Sequence, residues 1–495
     1  MTSERSQKLD DRYPLGSSPM VAQALIFNDS SKRSRPKAII FPCPNIDDSI
    51  ELMRTARRKG YICLAVFDTW WRAFAAYDEF PEMRSSRFVA ESAVALSDQE
   101  LEQRLRSFSE RFEICGILPR TEISVDLAIR IQSHVKLPHL PTAEAMARFR
   151  NKYALKSHLR GAVASILICE SRLVSSVADI EIAVSELSQR RGSVPAFVLK
   201  PNDGAGNRGI GFFMDGLRPN EAARQLKESG GTLLFEEFVD GVEYCVNGQA
   251  DSKGEIHIVN ISRYEREHAN GRRNVYHYQW HVPRSAPEYV TIAQGIKEAL
   301  EVAGLRGLPF HAECFVNEQG IWLNEIAARH GGGHSADIMR KLHANRFAAL
   351  DIAVECAAGE ASTEMQFDWE TYDTMKYLVI DGISHQDGII RHLHGIDAIE
   401  AAAEFVRWDV KPELGKRIEK TTHLLSAPYG FHLSSSSEES LRQAAIRLEQ
   451  HLKLTICDSW KCKLVERAKK AAMSVRFRAF LLKRRITGRA VRFMH

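Results

Sequence analysis

The chain has 495 residues, 44% of them apolar, with 67 basic against 63 acidic side chains and a net charge of +4. That length allows about three domains of ordinary size, and the balanced charge excludes both an acidic disordered chain and a uniformly basic nucleic-acid coat. No apolar run reaches the roughly 18 residues a membrane-spanning helix needs. Nine scattered cysteines contain no CxxC pair and are odd in number, which argues against a disulfide framework or a structural zinc site. The polar lead-in, 1–36, lacks the apolar stretch of a secretory signal, so a cytoplasmic location is expected.

Beyond the lead-in, Ala38 to Phe41 reads as a strand, Asp47 to Lys59 as a helix stopped by Gly60, and Tyr61 to Phe67 as a second strand. Ile114 to Leu118 is a third strand, followed by a helix from Thr121 to His134. This alternation predicts an α/β domain over 37–140, a doubly wound parallel sheet with 68–98 as an insertion. A helix over 142–160, with Thr142 as N-cap, opens a strand-rich α+β region spanning 141–374. Its helices are expected near 219–229, 288–303 and 335–358. Residues 375–460 form a smaller α+β unit with a strand from Lys376 to Ile380 and a helix near 437–453. The last part, 461–495, holds five Lys and seven Arg against one Glu, a local charge of +11.

Three motifs carry chemistry. From Phe197 to Phe212 a strand enters a loop with Gly204, Gly206, Gly209 and Gly211 and leaves into another strand. Glycines let backbone N–H groups converge on phosphate oxygens, and Lys200 adds positive charge beside them. The order of residues fits neither a Walker A loop nor a Rossmann fingerprint; a plain glycine-tipped hairpin is the alternative. From Leu233 to Tyr244 two strands flank an Asp240-Gly241 turn, and Glu236, Glu237 and Glu243 crowd one hairpin, whose blander reading is a solvated face. In the third, Glu313 and Glu325 stand at similar distances from the Asn317-Glu318-Gln319-Gly320 turn. Antiparallel pairing brings the two carboxylates together, a donor set suited to Mg²⁺. Arg329 and Gly331 to Gly333 then offer a guanidinium fork and a close-approach loop for an anion.

In this order the three motifs resemble the ATP-grasp superfamily, in detail over about 140–358, with the flanking domains matching its three-part layout. The resemblance implies a central ATP-grasp fold that binds ATP with Mg²⁺, two ions, with Mn²⁺ as a substitute. It assigns Lys152, in Asn151-Lys152-Tyr153, and Lys200 to the ATP phosphates, together with Gly204, Gly206 and Gly209. Glu236, Glu237 and Val239 become the hinge that reads adenine, Glu243 a further nucleotide contact, and Glu313 and Glu325 the metal acids. Arg329 becomes the arginine that steadies a substrate carboxylate or acyl phosphate, acting in catalysis with Lys200. Arg263, Glu265, His268, His330 and His334 are further candidates for substrate contact. Glu325-Ile-Ala-Ala-Arg329 places Ala327 where many members have a metal-binding Asn. That small-residue version resembles the L-amino-acid ligase branch of carboxylate–amine ligases, which couple ATP hydrolysis to amide formation with release of ADP and phosphate. A carboxylase or formate-dependent ligase is the alternative enzyme, and a nucleotide-binding regulator without turnover the alternative outside catalysis.

The expected partners are a small carboxylate and an amine, and a second copy of the chain as a homodimer. The tail reads as a basic helix from Cys462 to Arg492 with an apolar stripe of Val475, Ala479, Leu482 and Ile486. It is expected to dock on the acidic body, to lie on an anionic membrane surface, or to meet an acidic partner.

Overall fold

The computed structural model describes residues 34–44, 47–204, 209–332, 335–362, 365–457 and 471–482. Near the N-terminus, β1 (Lys37–Pro42), β2 (Ile62–Phe67), β3 (Glu91–Val94) and β4 (Glu113–Ile117) form a parallel sheet in the order β3-β2-β1-β4. Its central strands are apolar almost throughout because α1 (Asp47–Arg58), α2 (Trp70–Glu79), α3 (Asp98–Arg111) and α4 (Glu122–Val135) accompany the sheet. The supposed insertion at 68–98 is part of this sheet: it holds α2 and then β3, which pairs parallel to β2. Thr121 caps α4 by accepting a hydrogen bond from the Ser124 amide, 3.3 Å. The cap sets Arg120 and Glu122 just beyond the carboxyl end of β4, where open α/β sheets present ligand sites.

The single helix expected over 142–160 is two, α5 (Ala143–Arg150) and α6 (Lys152–Leu159). Asn151 between them has extended backbone, φ −115° and ψ 102°, and its Oδ1 accepts from the Ala154 amide at 2.8 Å. Lys152 therefore opens a new helix. Next come β5 (Ser171–Val174), α7 (Val177–Arg191), β6 (Phe197–Lys200), β7 (Gly211–Phe213), α8 (Pro219–Glu228) and β8 (Leu233–Glu237). The four strands form an antiparallel sheet, β5-β8-β6-β7, around stacked Phe197, Phe213 and Phe235.

The following strands are β9 (Val242–Ala250), β10 (Ile256–Ala269) and β11 (Arg272–His281); after α9 (Pro287–Ala303) come β12 (Pro309–Asn317) and β13 (Gly320–Ala327). β8 and β9 are not the hairpin the sequence suggested. β8 belongs to the four-stranded sheet and β9 pairs with β10 and β12, so 238–241 crosses between sheets. Gly241 is required at that crossing, because a Cβ there would lie 2.8 Å from the Val316 carbonyl oxygen.

The expected helix at 335–358 is also two, α10 (Ser335–Leu342) and α11 (Ala349–Ala357), followed by α12 (Trp369–Thr374). Then come β14 (Lys376–Asp381), β15 (Gly388–His394), α13 (Ile396–Glu400), β16 (Phe405–Val410), β17 (Arg417–Ile418), β18 (Gly430–Ser435), α14 (Glu438–His451) and β19 (Lys453–Cys457). β14, β18 and β16 extend the large sheet, giving β13-β12-β9-β10-β11-β14-β18-β16, while β17-β15-β19 form a small separate sheet. The C-terminal region thus shares one continuous sheet with the central domain. Leu441, Ala444, Ala445 and Leu448 of α14 pack that end against Trp280, Leu378 and Phe431.

Residues 471–482 are helical. Phe477 and Phe480 pack on Trp70, Trp71 and Phe74 of α2, and Arg476 pairs with Asp78. The docking face is therefore not the expected stripe: Val475 and Leu482 are 65% and 58% exposed, and Ile486 lies outside the described residues. No described helix is long and apolar enough to cross a membrane.

Candidate active site

A cavity of about 990 Å³ opens on the large sheet, and Lys152, Lys200, Gly204, Glu313, Glu325 and Arg329 all line it. Glu313 on β12 and Glu325 on β13 are direct cross-strand partners. The pairing needs one irregularity. Glu313 is four residues before Asn317 and Glu325 five after Gly320, and the difference is absorbed by a bulge between Glu313 and Cys314, which pair with Glu325 and Leu323. Asn324 is the extra residue. Strict alternation would turn it to the opposite face from Glu325; the bulge lets both line the cavity. Its Nδ2 donates to Glu313 Oε2 at 3.1 Å and its Oδ1 accepts from Lys200 Nζ at 3.0 Å. Glu313, Glu325 and the Asn324 amide oxygen form an oxygen donor set that suits a hard cation such as Mg²⁺. His311, fixed through Nδ1 to Asn247 Oδ1 at 2.9 Å, stands 3.4 Å from Glu313.

The lysines face these acids from α6 and β6. Lys152 Nζ lies 2.9 Å from Glu325 Oε2 and donates to the Gly204 carbonyl at 2.7 Å. Burial opposes the charge on Glu325, but Lys152, Lys200 and His311 outweigh it and hold the carboxyl down at about 2. Lys200 Nζ lies 2.7 Å from Glu236 Oε2, and Lys156 Nζ 2.5 Å from Glu236 Oε1. All three are buried. Glu236 is charged despite its burial because two ammonium groups share it. Burial lowers Lys200, and the two neighbouring lysines add to that.

The hinge and glycine residues fall in several places. Glu237 and Val239 line a second, smaller cavity of about 380 Å³ with Phe238 and Trp322, and Glu237 pairs with Arg191. Glu243 lines neither cavity. It is buried 2.5 Å from Arg266, and burial, reinforced by Glu313 and Glu325 against the Arg266 guanidinium, pushes it up to about 7. Gly209 has φ +75°, a left-handed backbone that favours glycine. Gly206 and His334 lie outside the described residues.

Of the substrate candidates, Arg329 lines the cavity and hydrogen-bonds Glu122 at the start of α4, its Nε donating at 2.7 Å. Arg263 and Glu265 point elsewhere: Glu265 accepts from Arg442 of α14 at 3.0 Å and from Arg263 at 3.2 Å. His268 is exposed near the end of β10. His330 is buried, and its carbonyl accepts from Arg329 at 2.8 Å and from Arg120 at 3.3 Å. The cavity also takes residues that the motifs did not signal: Arg120, Glu122, Asn247, Tyr264, Tyr276 and Asp381. Lys156 had a usable signal, since it lies four residues after Lys152 on the same helical face.

Residues 194–337, which hold Lys200 and the Glu313–Glu325 pair, match the model of the ATP-grasp domain. The chain is 28% identical over 283 residues to dapdiamide A synthase of Enterobacter agglomerans. That match takes in 55% of this chain and 63% of the relative, so it spans less than two thirds of the relative's length. In structure the chain is similar to the L-amino acid ligase of Bacillus licheniformis, with TM-score 0.66 and 18% identity, covering 86% of this chain and all of the other. It is also similar to the biotin carboxylase domain of the Hydrogenobacter thermophilus 2-oxoglutarate carboxylase in complex with MgADP, ADP and bicarbonate, with TM-score 0.56 and 14% identity. That likeness covers 86% of this chain and 92% of the other. Both structural likenesses show the shared fold.

Proposed function

We propose that this protein is an ATP-dependent carboxylate–amine ligase that joins an amino acid or similar carboxylate to an amine. A carboxylate oxygen attacks the γ-phosphorus of ATP and ADP leaves, giving an acyl phosphate. The amine nitrogen then attacks the acyl carbon, phosphate leaves, and the nitrogen loses a proton. The observation that carries this reading is the registered Glu313–Glu325 pair facing Lys152 and Lys200 in the same cavity as Arg329. Lys152 and Lys200 hold the phosphates, the backbone at Gly204 and Gly209 approaches them, and the Glu236–Val239 hinge receives the base. Glu313 and Glu325 would hold Mg²⁺, which supplies positive charge to the transferring phosphoryl group when bound. Arg329 retains two N–H groups beyond those given to Glu122 and the His330 carbonyl. These suit a substrate carboxylate. The name of the sequence relative, dapdiamide A synthase, supports the ligase reading over the carboxylase one, while the similar structures include both an L-amino acid ligase and a biotin carboxylase domain and speak to the fold.

We place the reaction in the cytoplasm, where ATP is available and where the unpaired state of all eight described cysteines is maintained. The test is a panel of amino acids paired with amines, with ATP and Mg²⁺, read by phosphate release and product mass. ADP release that requires both a carboxylate and an amine, with an amide of matching mass, is expected. Turnover that requires bicarbonate or formate instead would contradict the reading.

A further inference from the structure

The cavity extends far beyond the lysines. Its floor is one face of the large sheet, with Asn247 on β9, Tyr264 on β10, Tyr276 and Gln279 on β11, and Val379 and Asp381 on β14. In that sheet β12 and β14 are four strand steps apart, about 19 Å along the sheet at the usual strand spacing. The far end is closed by Asp409 and by residues 416–419 and 424–428.

Asp381 is 8% exposed and lines this end; its backbone pairs with Gly430 of β18, but its carboxylate makes no hydrogen bond or ion pair with any described residue. On the opposite face of its own strand, Ile380 packs with Phe431 in the apolar core. Asp409 on β16 repels its charge, and His277 on β11, engaged by Glu267 and Glu449, relieves it little. Lys416, Arg417 and Glu419 line the same end, but neither cation comes within ion-pairing distance of Asp381. Burial first, and Asp409 second, push the carboxyl up to about 7. A buried carboxylate with no partner is costly, and that cost is relieved by a proton or by a cation.

We propose that Asp381 anchors a positively charged group, a protonated amine or a guanidinium, at the end of the substrate remote from the reacting carboxyl. The inference rests on the ligase reading for the word substrate, and it narrows that substrate to one carrying a basic group. The distance across the floor separates this cation from the bond-forming centre. Its role is selection rather than nucleophilic attack. A charge-assisted hydrogen bond of this kind is worth about 10- to 100-fold in affinity.

The test measures binding by calorimetry on the full-length chain with Mg²⁺ and a non-hydrolysable ATP analogue. Probes are matched N-acetylated peptides that can span the floor when extended, at about 3.3–3.6 Å per residue: acetyl-lysyl-triglycine with acetyl-norleucyl-triglycine, and acetyl-arginyl-triglycine with acetyl-citrullyl-triglycine. The wild-type protein is expected to prefer at least one cationic probe to its neutral partner by about tenfold or more. Asp381→Asn should reduce that preference to near one, and Asp381→Glu should recover part of it. The inference is overturned if no cationic probe is preferred, or if the preference survives in Asp381→Asn. Should Asp381→Asn fail to fold, the preference in Asp381→Glu and its loss in Asp381→Ser decide in the same way. Because binding is read without turnover, a preference that depends on Asp381 in a protein without ATP-dependent amide synthesis would sink the ligase reading alone. Amide synthesis with no role for Asp381 would sink this inference alone.

Discussion

Glu122 and Arg329, 207 residues apart, form a two-bond contact in which both Nε and Nη2 of the arginine donate to one carboxylate oxygen. The contact ties the start of α4 to the end of β13 and turns the rest of the guanidinium toward the cavity. Glu122 is a positioning residue in this account. Glu122→Gln should raise KM for the carboxylate substrate about tenfold, equivalent to about 1.4 kcal/mol, while KM for ATP changes less than twofold. Arg329→Lys should keep nucleotide affinity and lose turnover, because Lys cannot supply a planar fork. Parallel losses of ATP affinity in either variant would instead put Arg329 on the nucleotide.

Glu313→Gln and Glu325→Gln each remove a charge from the registered pair. Each should lower ADP formation by at least about 10²-fold, the scale of one lost preorganised electrostatic partner. Circular dichroism and thermal midpoint should stay close to wild type. Normal turnover with normal Mg²⁺ dependence in either variant contradicts the carboxylate assignment.

The positions of Glu313 and Glu325 were legible because a short turn fixes the register on both sides. Asn324 was not, since the bulge that turns it inward depends on pairing rather than on the alternation of β13. Arg263 and Glu265 were expected to touch substrate, yet Arg442 of α14, 177 residues after Glu265, engages that carboxylate, a long-range contact that the sequence does not announce. Asp381 reaches the cavity because β14 joins the central sheet through β11, a long-range pairing that no local pattern announces. β11 itself, Arg272 to His281, was missed although Tyr276, Tyr278 and Trp280 alternate with polar residues; its bulge against β10 then sends Tyr276 to the cavity while Tyr278 and Trp280 pack on the core. Asn151 could have marked the break between α5 and α6, being a residue that favours caps over helix interiors.

His281 gives a stability signature with a definite sign. It is buried, its Nε2 is 2.8 Å from the Tyr372 carbonyl oxygen, and burial lowers its pKa to about 4 from the ordinary 6.5. Between these values the unfolded chain binds a proton that the folded chain refuses. His281 therefore disfavours the folded state increasingly as pH falls from about 6.5 toward 4, by up to about 3 kcal/mol. His281→Gln removes this term, so the stability gap between wild type and variant should shrink on going from pH 7 to pH 4.5 in urea unfolding. A gap independent of pH contradicts it.

The tail should be held by its rings rather than by its charge. Phe477→Ser combined with Phe480→Ser should speed tryptic cleavage at Arg476 and Arg478 by about tenfold. Arg476→Ala should leave cleavage at Arg478 nearly unchanged, because the Arg476 guanidinium paired with Asp78 is 61% exposed and ion pairs with a solvated partner contribute about 1 kcal/mol or less. No described residue beyond Pro428 lines the large cavity, so a chain ending near Trp460 should retain ATP-dependent activity on small substrates. Equal protease sensitivity in the double variant and wild type would refute the docking.

Transfer of isotope tests the proposed chemistry most directly. A carboxylate substrate labelled with ¹⁸O in both oxygens, combined with the amine that elicits ADP release, should pass one labelled oxygen to the phosphate for each amide formed. Mass spectrometry of the phosphate and the amide reads both products of the same turnover. Label remaining wholly in the amide, or formation of AMP and pyrophosphate, would contradict activation through an acyl phosphate.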